Sequence, residues 1–466
     1  MLAGATTRPL TGRETIAALD ATGLARSSFV VSDGGQLAWR DFEVQPARQT
    51  RLALAWADPA SGALLVLLSC SPRLDSASAF VQVIGWDEGA TVFNFYERRR
   101  GGWIWAGNSR HALDAPTRGR GPFDSHVNGA LVMKELKVPW QHWSSQSAFD
   151  LPGLAPDNPL RTEDVFRDRS GAERLEQLVR SGVQRWTDAR LAPVVAEGEL
   201  TNAHTFLRQV VDTTSVNLVS SDVVSRVEPP PPRLTLPTTA FLDVDALVDL
   251  LEVEVTHGRL STSWEHYQQV LVDHGYELRA GGDRVVARGD LHFAFTAPER
   301  AFEDQAVLRA LVRARLLSRR MAASLLMVDF PNPVFSRRRR SLLAALPERG
   351  VRDAGGRWSL DDAILDVTSS AASAGGPAEE LLRAWAVGDD WQRAFGARID
   401  AYLTALQARL DTSSGFAEID RLIVSRRRQA RRRPLLEFDL TLPFARELPR
   451  EQLAMREDGS IYEEET

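Results

Sequence analysis

The first 105 residues break into short apolar runs separated by turn residues at close, regular intervals, and few folds accept such a chain. Runs at 28–32 and 36–40 flank Asp33-Gly34-Gly35. Runs at 51–57 and 63–70 flank Asp58-Pro59-Ala60-Ser61-Gly62. Runs at 79–86 and 91–97 flank Asp87-Glu88-Gly89. Glycine supplies positive φ without steric cost, aspartate bonds its own following backbone, and proline fixes φ, so each connection reads as a turn. Apolar runs of this length between such turns are strands of an antiparallel sheet. Residues 1–150 are therefore expected to form a β-rich domain, a sandwich or an open barrel. A further strand, Trp103-Ile104-Trp105, follows the turn at 98–102, and alternation puts Trp103 and Trp105 on one face.

The pattern lapses after Ala106. Asn108, Pro116, Gly119, Gly121 and Pro122 oppose regular structure, and the spacing at 131–136 predicts a short helix ended by Pro139. A Pro/Asp/Asn-rich stretch at 151–158 marks the end of the β-rich part. Apolar residues at three- and four-residue spacing then predict helices over 162–191, 203–224, 243–253, 261–274, 303–327, 377–410 and 415–428. The alternation at 284–295 predicts a small hairpin. The run Glu228-Pro229-Pro230-Pro231-Pro232-Arg233 cannot be helix interior and reads as a stiff connector. The expected organisation is a β-rich domain over 1–150, a helical segment over 151–227, a proline-rich linker over 228–237 and a mainly helical domain over 238–466. The fold class is α+β.

Composition removes several function classes. A formal net charge of −6 argues against a dedicated nucleic-acid binder, which needs a positive field. The longest apolar run, 63–68, is far short of a membrane span, and the N-terminus shows no basic segment followed by an apolar one. Cys70 is the only cysteine, so no intramolecular disulfide forms and a reducing, cytoplasmic setting is expected. Oligomeric state leaves no mark in the sequence.

The chemistry concentrates between Thr91 and Trp143. This stretch holds three of the eight histidines (His111, His126, His142), four of the twelve tryptophans (Trp103, Trp105, Trp140, Trp143) and both lysines (Lys134, Lys137). Three histidines with Asp114 and Asp124 beside them have the makings of a mononuclear metal site, three-histidine or two-histidine-one-carboxylate. Their spacing of 15 and 16 residues requires convergence from separate loops or strands. The four tryptophans have the makings of a pocket wall for a flat or apolar ligand, or of plain core. His142 between Trp140 and Trp143 reads equally as aromatic packing, and His111 after Ser109 as a loop cap.

Within this stretch, Gly121-Pro122-Phe123-Asp124-Ser125-His126-Val127-Asn128-Gly129, with Met133-Lys134-Glu135-Leu136 and Pro139-Trp140 beyond it, is similar to the haem-attachment region of bacterial cytochrome c-like proteins. A C-x-x-C-H motif forms two thioethers and ligates iron through its histidine. Here Pro122 and Ser125 stand where the cysteines would be, so covalent attachment through this motif is excluded. The resemblance covers about a tenth of the chain, and it implies His126 as a ligand to non-covalent haem.

Other motifs are missing or bland. There is no G-x-S-x-G elbow, P-loop or complete G-x-G-x-x-G. Cys70, ending an apolar strand, reads as inert core. Asp361, Asp362 and Asp366 have the charge for magnesium, but an acidic first helical turn accounts for them. The basic runs 337–340 and 426–433 read as solvated helix faces paired with carboxylates.

The leading expectation is a metal- or haem-dependent oxidoreductase acting on a small-molecule substrate, with its site in 91–143. His126 would ligate the cofactor, His111 or His142 would be a second ligand or acid/base, Asp124 would orient an imidazole, and the four tryptophans would line the cofactor. The rival is a non-enzymatic protein that binds a small ligand or a partner.

Overall fold

The computed structural model describes residues 11–32, 50–99, 102–123, 125–134, 142–143, 157–279, 286–288, 293–432, 443–446 and 449–464. After helix α1 (Gly12–Asp20) come six strands: β1 (Ala25–Ser32), β2 (Thr50–Ala57), β3 (Leu64–Cys70), β4 (Val81–Asp87), β5 (Val92–Arg99) and β6 (Gly102–Asn108). They form one antiparallel sheet in chain order, with β1 and β6 at its edges. The turns at 58–63 and 87–91 lie where the sequence sets them. The run at 36–40 falls outside the described residues, and the partner of β1 is β2, in register from Ala25↔Ala57 to Ser32↔Thr50.

Helices, not a second sheet, cover this meander. On one face Val30, Leu52, Leu54, Trp56, Val66, Leu68 and Cys70 pack against Ile16 and Leu19 of α1 and against Leu160, Val165 and Phe166. The last two belong to the short helix α3 (Asp164–Arg167). Leu52, Leu54 and Leu68 are 0% exposed, and each such burial is worth about 2 kcal/mol. On the other face Phe29, Ala53, Ala55, Phe93 and Phe95 meet Leu175, Leu178, Val179, Val183 and Trp186. Those five lie along the 26-residue helix α4 (Ala172–Glu197).

After β6 runs a strap, described over residues 109–123 and 125–134. Helix α2 (Ser109–Leu113) opens it, and Phe123, Ala130, Leu131 and Met133 are buried against the same sheet face. Two glycines let the strap lie close. Gly129 sits at φ 70°, and a Cβ there would lie 2.4 Å from the Ser109 carbonyl oxygen; a Cβ on Gly182 of α4 would lie 2.5 Å from Leu131 Cδ1. The Trp186 indole N–H donates to the Asn128 carbonyl at 2.9 Å. The helix predicted over 131–136 is not formed at Leu131–Lys134, which is irregular backbone; 135–136 lie outside the described residues.

The rest is mainly helical, and one apolar cluster runs from Leu191 to Met455. Its helices are α5 (Ala203–Val211), α6 (Trp264–Asp273), α7 (Phe302–Arg313), α8 (Arg319–Met327), α9 (Arg337–Ser341), α10 (Leu360–Ala371), α11 (Pro377–Trp385), α12 (Trp391–Leu410) and α13 (Ser413–Arg431). Short strand pairs brace them: β7 (Glu199–Leu200) with β14 (Gly350–Val351), β8 (Val216–Val224) with β13 (Ala294–Arg300), β9 (Arg233–Thr235) with β10 (Ser261–Ser263), β11 (Glu277–Arg279) with β12 (Val286–Arg288), and β15 (Leu453–Met455) with β16 (Ile461–Glu463). Thus β8 and β13 pair across the proline run. Among the described residues no helix is long and apolar enough to cross a membrane.

Further sequence expectations change, and the helix over 377–410 is two, α11 and α12, parted by residues 386–390. The helix over 203–224 stops at Val211. Asp212 Oδ1 takes the Thr213 N–H at 2.8 Å, and the hydroxyl residues 213–215 peel the chain away into β-branched β8. The helix over 303–327 breaks at Arg315, which has φ 58°, and restarts where the Ser318 side chain accepts from Met321 N at 3.1 Å. The basic runs are solvated only in part: Arg337, Arg338 and Arg340 reach solvent and are paired with Glu464, Glu380 and Asp212, but Arg339, Arg426 and Arg427 are 3%, 1% and 2% exposed. Backbone carbonyls replace water for them. Arg426 donates to the Ala240 and Pro331 oxygens and to Asn332 Oδ1; Arg339 donates to the oxygens of Val328, Asn332 and Pro333.

Candidate functional site

The sheet face beneath the strap is not fully covered. Along β3, Leu65, Leu67 and Ser69 are only half-buried while Leu64, Val66, Leu68 and Cys70 are sealed; along β4, Gln82 is exposed and Ile84 half-buried. Strand alternation puts these under-covered residues on one face. The gap is a cavity of about 450 Å³, a volume that suits a small organic molecule. Its floor is apolar: Ala53 and Leu67, with Ile84 beside them, and Met133, Leu175 and Leu218 above.

Its rim is polar and basic. Arg51, Gln82, Glu97 and Arg99 come from strand ends, and His126, Lys134 and His142 from the opposite side. Arg99 pairs with Glu97 at 2.7 Å. Arg51 lies 3.5 Å from Ser69 Oγ. The Lys134 ammonium is 3.0 Å from Glu303 of α7, with both side chains under a tenth exposed, and donates to Ser215 Oγ at 2.7 Å. Its backbone oxygen accepts from Leu218 N at 2.6 Å, so Lys134 fastens the strap to the helical part through a buried ion pair.

Two of the three predicted histidines meet here. His126 is half-buried, its Nδ1 lies 2.8 Å from the Ala130 carbonyl, and its ring packs on Phe95 at 5.0 Å. His142 is buried, and its backbone oxygen accepts from Ser32 N at 2.7 Å. His111 is elsewhere. Its Nδ1 accepts the Asn108 backbone N–H at 3.2 Å while Asn108 caps α2 in return, and Trp105 stacks edge-on against its ring at 5.5 Å. Its position suits the loop-cap reading, since a cap needs an acceptor three residues into the helix.

The tryptophans divide as well. Trp143 lines the cavity and bridges to Val31 of β1. Trp103 and Trp105 pair with Arg98 and Tyr96 on β5, on the face opposite Phe95 and Glu97. Trp103 packs into the α1 side of the sheet, and Trp105 is 51% exposed with its N–H on Asn94. Trp140 and Asp124 lie outside the described residues. Asp114 is exposed at the end of α2.

Of the expected cofactor-site residues that are described, His126, His142 and Trp143 line the cavity, while His111, Trp103, Trp105 and Asp114 do not. Among the described residues no group of three or more His, Cys, Asp or Glu side chains is placed to hold a metal ion. A haem slot would need aromatic or aliphatic walls on both sides of a flat ring, and two of the four tryptophans face away from the cavity. The aspartates of α10 also serve separately: Asp361 accepts the Ser318 N–H, and Asp362 pairs with Arg357 at 2.8 Å. Burial pushes the Cys70 thiol up to about 12, which leaves no thiolate to react.

The sequence reading did not select Arg51, Gln82, Glu97 and Arg99 as site residues. The available signal was positional, since each is a polar residue at the end of an apolar strand and on the same alternating face as Leu67 and Ile84. Lys134 had a stronger mark as one of two lysines in an arginine-rich chain. No protein-family model matches the chain, and neither the curated proteins nor the solved structures give a match.

Proposed function

We propose that this chain is a binding protein for a small amphipathic molecule with an acidic group, held in the cavity between the sheet and the strap. One observation carries the reading: the cavity joins an apolar floor to a polar rim where Arg51 stands beside the Arg99–Glu97 pair, while Lys134 is matched by Glu303. An apolar body would cover Leu67, Ile84 and Met133. An acidic head would meet Arg51, near the imidazoles of His126 and His142, in a charge-assisted contact.

Octanoate titrated into the full chain by calorimetry tests this. The expected result is saturable one-site binding, weakened about tenfold by Arg51→Gln and abolished by Gln82→Trp, which fills the cavity from an exposed strand position. Octanoate that never saturates, or binds Gln82→Trp as tightly as the parent, overturns the proposal. A Soret band on haem titration, or stoichiometric transition metal in the purified protein, overturns it in favour of the oxidoreductase expectation.

A further inference from the structure

A second cavity, of about 580 Å³, borders the same strap. Three arginines from three separate parts of the chain reach it: Arg118 from the loop after α2, Arg208 from α5 and Arg340 from α9. The carboxylate among its described lining residues is that of Asp212. Both Arg208 and Arg340 approach one and the same oxygen, Asp212 Oδ2, through their Nε atoms at 3.5 and 3.7 Å. These separations are at or beyond the limit of a hydrogen bond, and the other Asp212 oxygen is taken by the Thr213 N–H. Arg118 spends one nitrogen on the Leu113 carbonyl.

The charged lining therefore carries three guanidiniums against one carboxylate, and the forked faces of Arg208 and Arg340 are not consumed by it. Their side chains are 41% and 60% exposed while Asp212 is 5% exposed, so the cations stand toward solvent and the anion behind them. Burial pulls the Arg118 guanidinium below its ordinary value, and the neighbouring Arg208 cation pulls it further, with Asp114 acting against both. Such a like-charge approach is relieved by an anion between the cations. Neutral hydrogen-bonding groups, the Thr205 and Thr214 hydroxyls and the Asn128 amide, complete the polar side. Leu113, Val127 and Leu343 form an apolar wall.

We propose that this cleft is a binding site for a phosphorylated small molecule, with Arg118, Arg208 and Arg340 sharing the phosphate oxygens and the apolar wall receiving the organic part. A carboxylate presents two oxygens and saturates on one guanidinium fork; a phosphate or diphosphate presents enough oxygens for three. The volume lies in the range of small-molecule sites.

Calorimetric titration of the full chain with pyrophosphate at fixed ionic strength tests the proposal, with citrate as a carboxylate control. Pyrophosphate is expected to bind saturably, with affinity falling about tenfold in Arg208→Gln and again in the Arg208→Gln/Arg340→Gln double variant. Arg208→Lys, which keeps the charge and loses the fork, is expected to recover only part of the loss. Because Arg340 stays beside Asp212 in Arg208→Gln, the melting temperature of that ligand-free single variant should match the parent, and Arg51→Gln in the first cavity should leave pyrophosphate binding unchanged. The proposal fails if pyrophosphate shows no saturable heat, if the double variant binds it as the parent does, or if citrate binds equally well.

Discussion

Lys134 shows how much rests on one side chain. Its ammonium and the Glu303 carboxylate are both buried, 3.0 Å apart, and Ser215 takes a further N–H. Truncating one partner of such a pair strands the other charge in a dry site. Lys134→Ala is therefore expected to cost about 3–5 kcal/mol in denaturant unfolding. Lys134→Met combined with Glu303→Leu should recover most of the loss, because the destabilisation comes from the uncompensated carboxylate. Equal losses in the single and double variants would refute this account. The sequence displayed Lys134 as a rarity but could not show its partner, which lies 169 residues away. The same holds for His111, whose role is legible only once Asn108 is seen capping α2. The buried arginines are a harder case, since a run of basic residues looks alike whether water or carbonyl oxygens receive its donors.

Among the elements, the strands of the meander were legible and the strap was not. Turn residues such as Asp58 to Gly62 act through local backbone preference, so they can be read from a few neighbouring residues. The strap is fixed by distant contacts instead: Trp186 on Asn128, Thr214 on the Asn128 side chain, Leu131 against Gly182. Strand β8 fails for the same reason, since its apolar spacing suits a helix and only pairing with β13 decides it. Gly129 tests the strap directly. Its φ of 70° and the 2.4 Å separation from the Ser109 oxygen leave no room for a side chain. Gly129→Ala is expected to destabilise by about 2 kcal/mol or more, with increased hydrogen exchange concentrated at residues 125–134. Unchanged exchange there would show that the strap does not depend on this close approach.

The whole molecule consists of a sheet clothed by helices and a helical mass tied through its interior by guanidinium groups. Arg426 joins α13 to Ala240, Pro331 and Asn332, residues 94 to 186 positions away in sequence. Desolvation brings its pKa down to about 10, so it remains charged at neutral pH and its acceptors must stay in place. Arg426→Met is expected to cost about 3 kcal/mol or more by leaving those acceptors dry. Arg426→Lys should rescue little, because one ammonium cannot span three separated oxygens. Chemical denaturation of both variants checks this, and a fully stable Arg426→Lys would overturn it. The α+β division was visible at this scale because it depends on the periodicity of long stretches. How the parts are fastened was not, because fastening is written in pairs remote along the chain.

Thr214 and Ser215 are neighbours in the chain, and so are Glu303 and Asp304. Ser215 and Glu303 grip Lys134 at one cavity; Thr214, bonded to both Asn128 and Asp304, does the corresponding work at the other. Lys134 of the first lining and Asn128 of the second are thus held by the same turn after α5 and the same first turn of α7. An occupant of either hollow would press on residues fixed by these shared supports. By thermodynamic reciprocity, any change it makes in its neighbour's affinity is returned by the same factor.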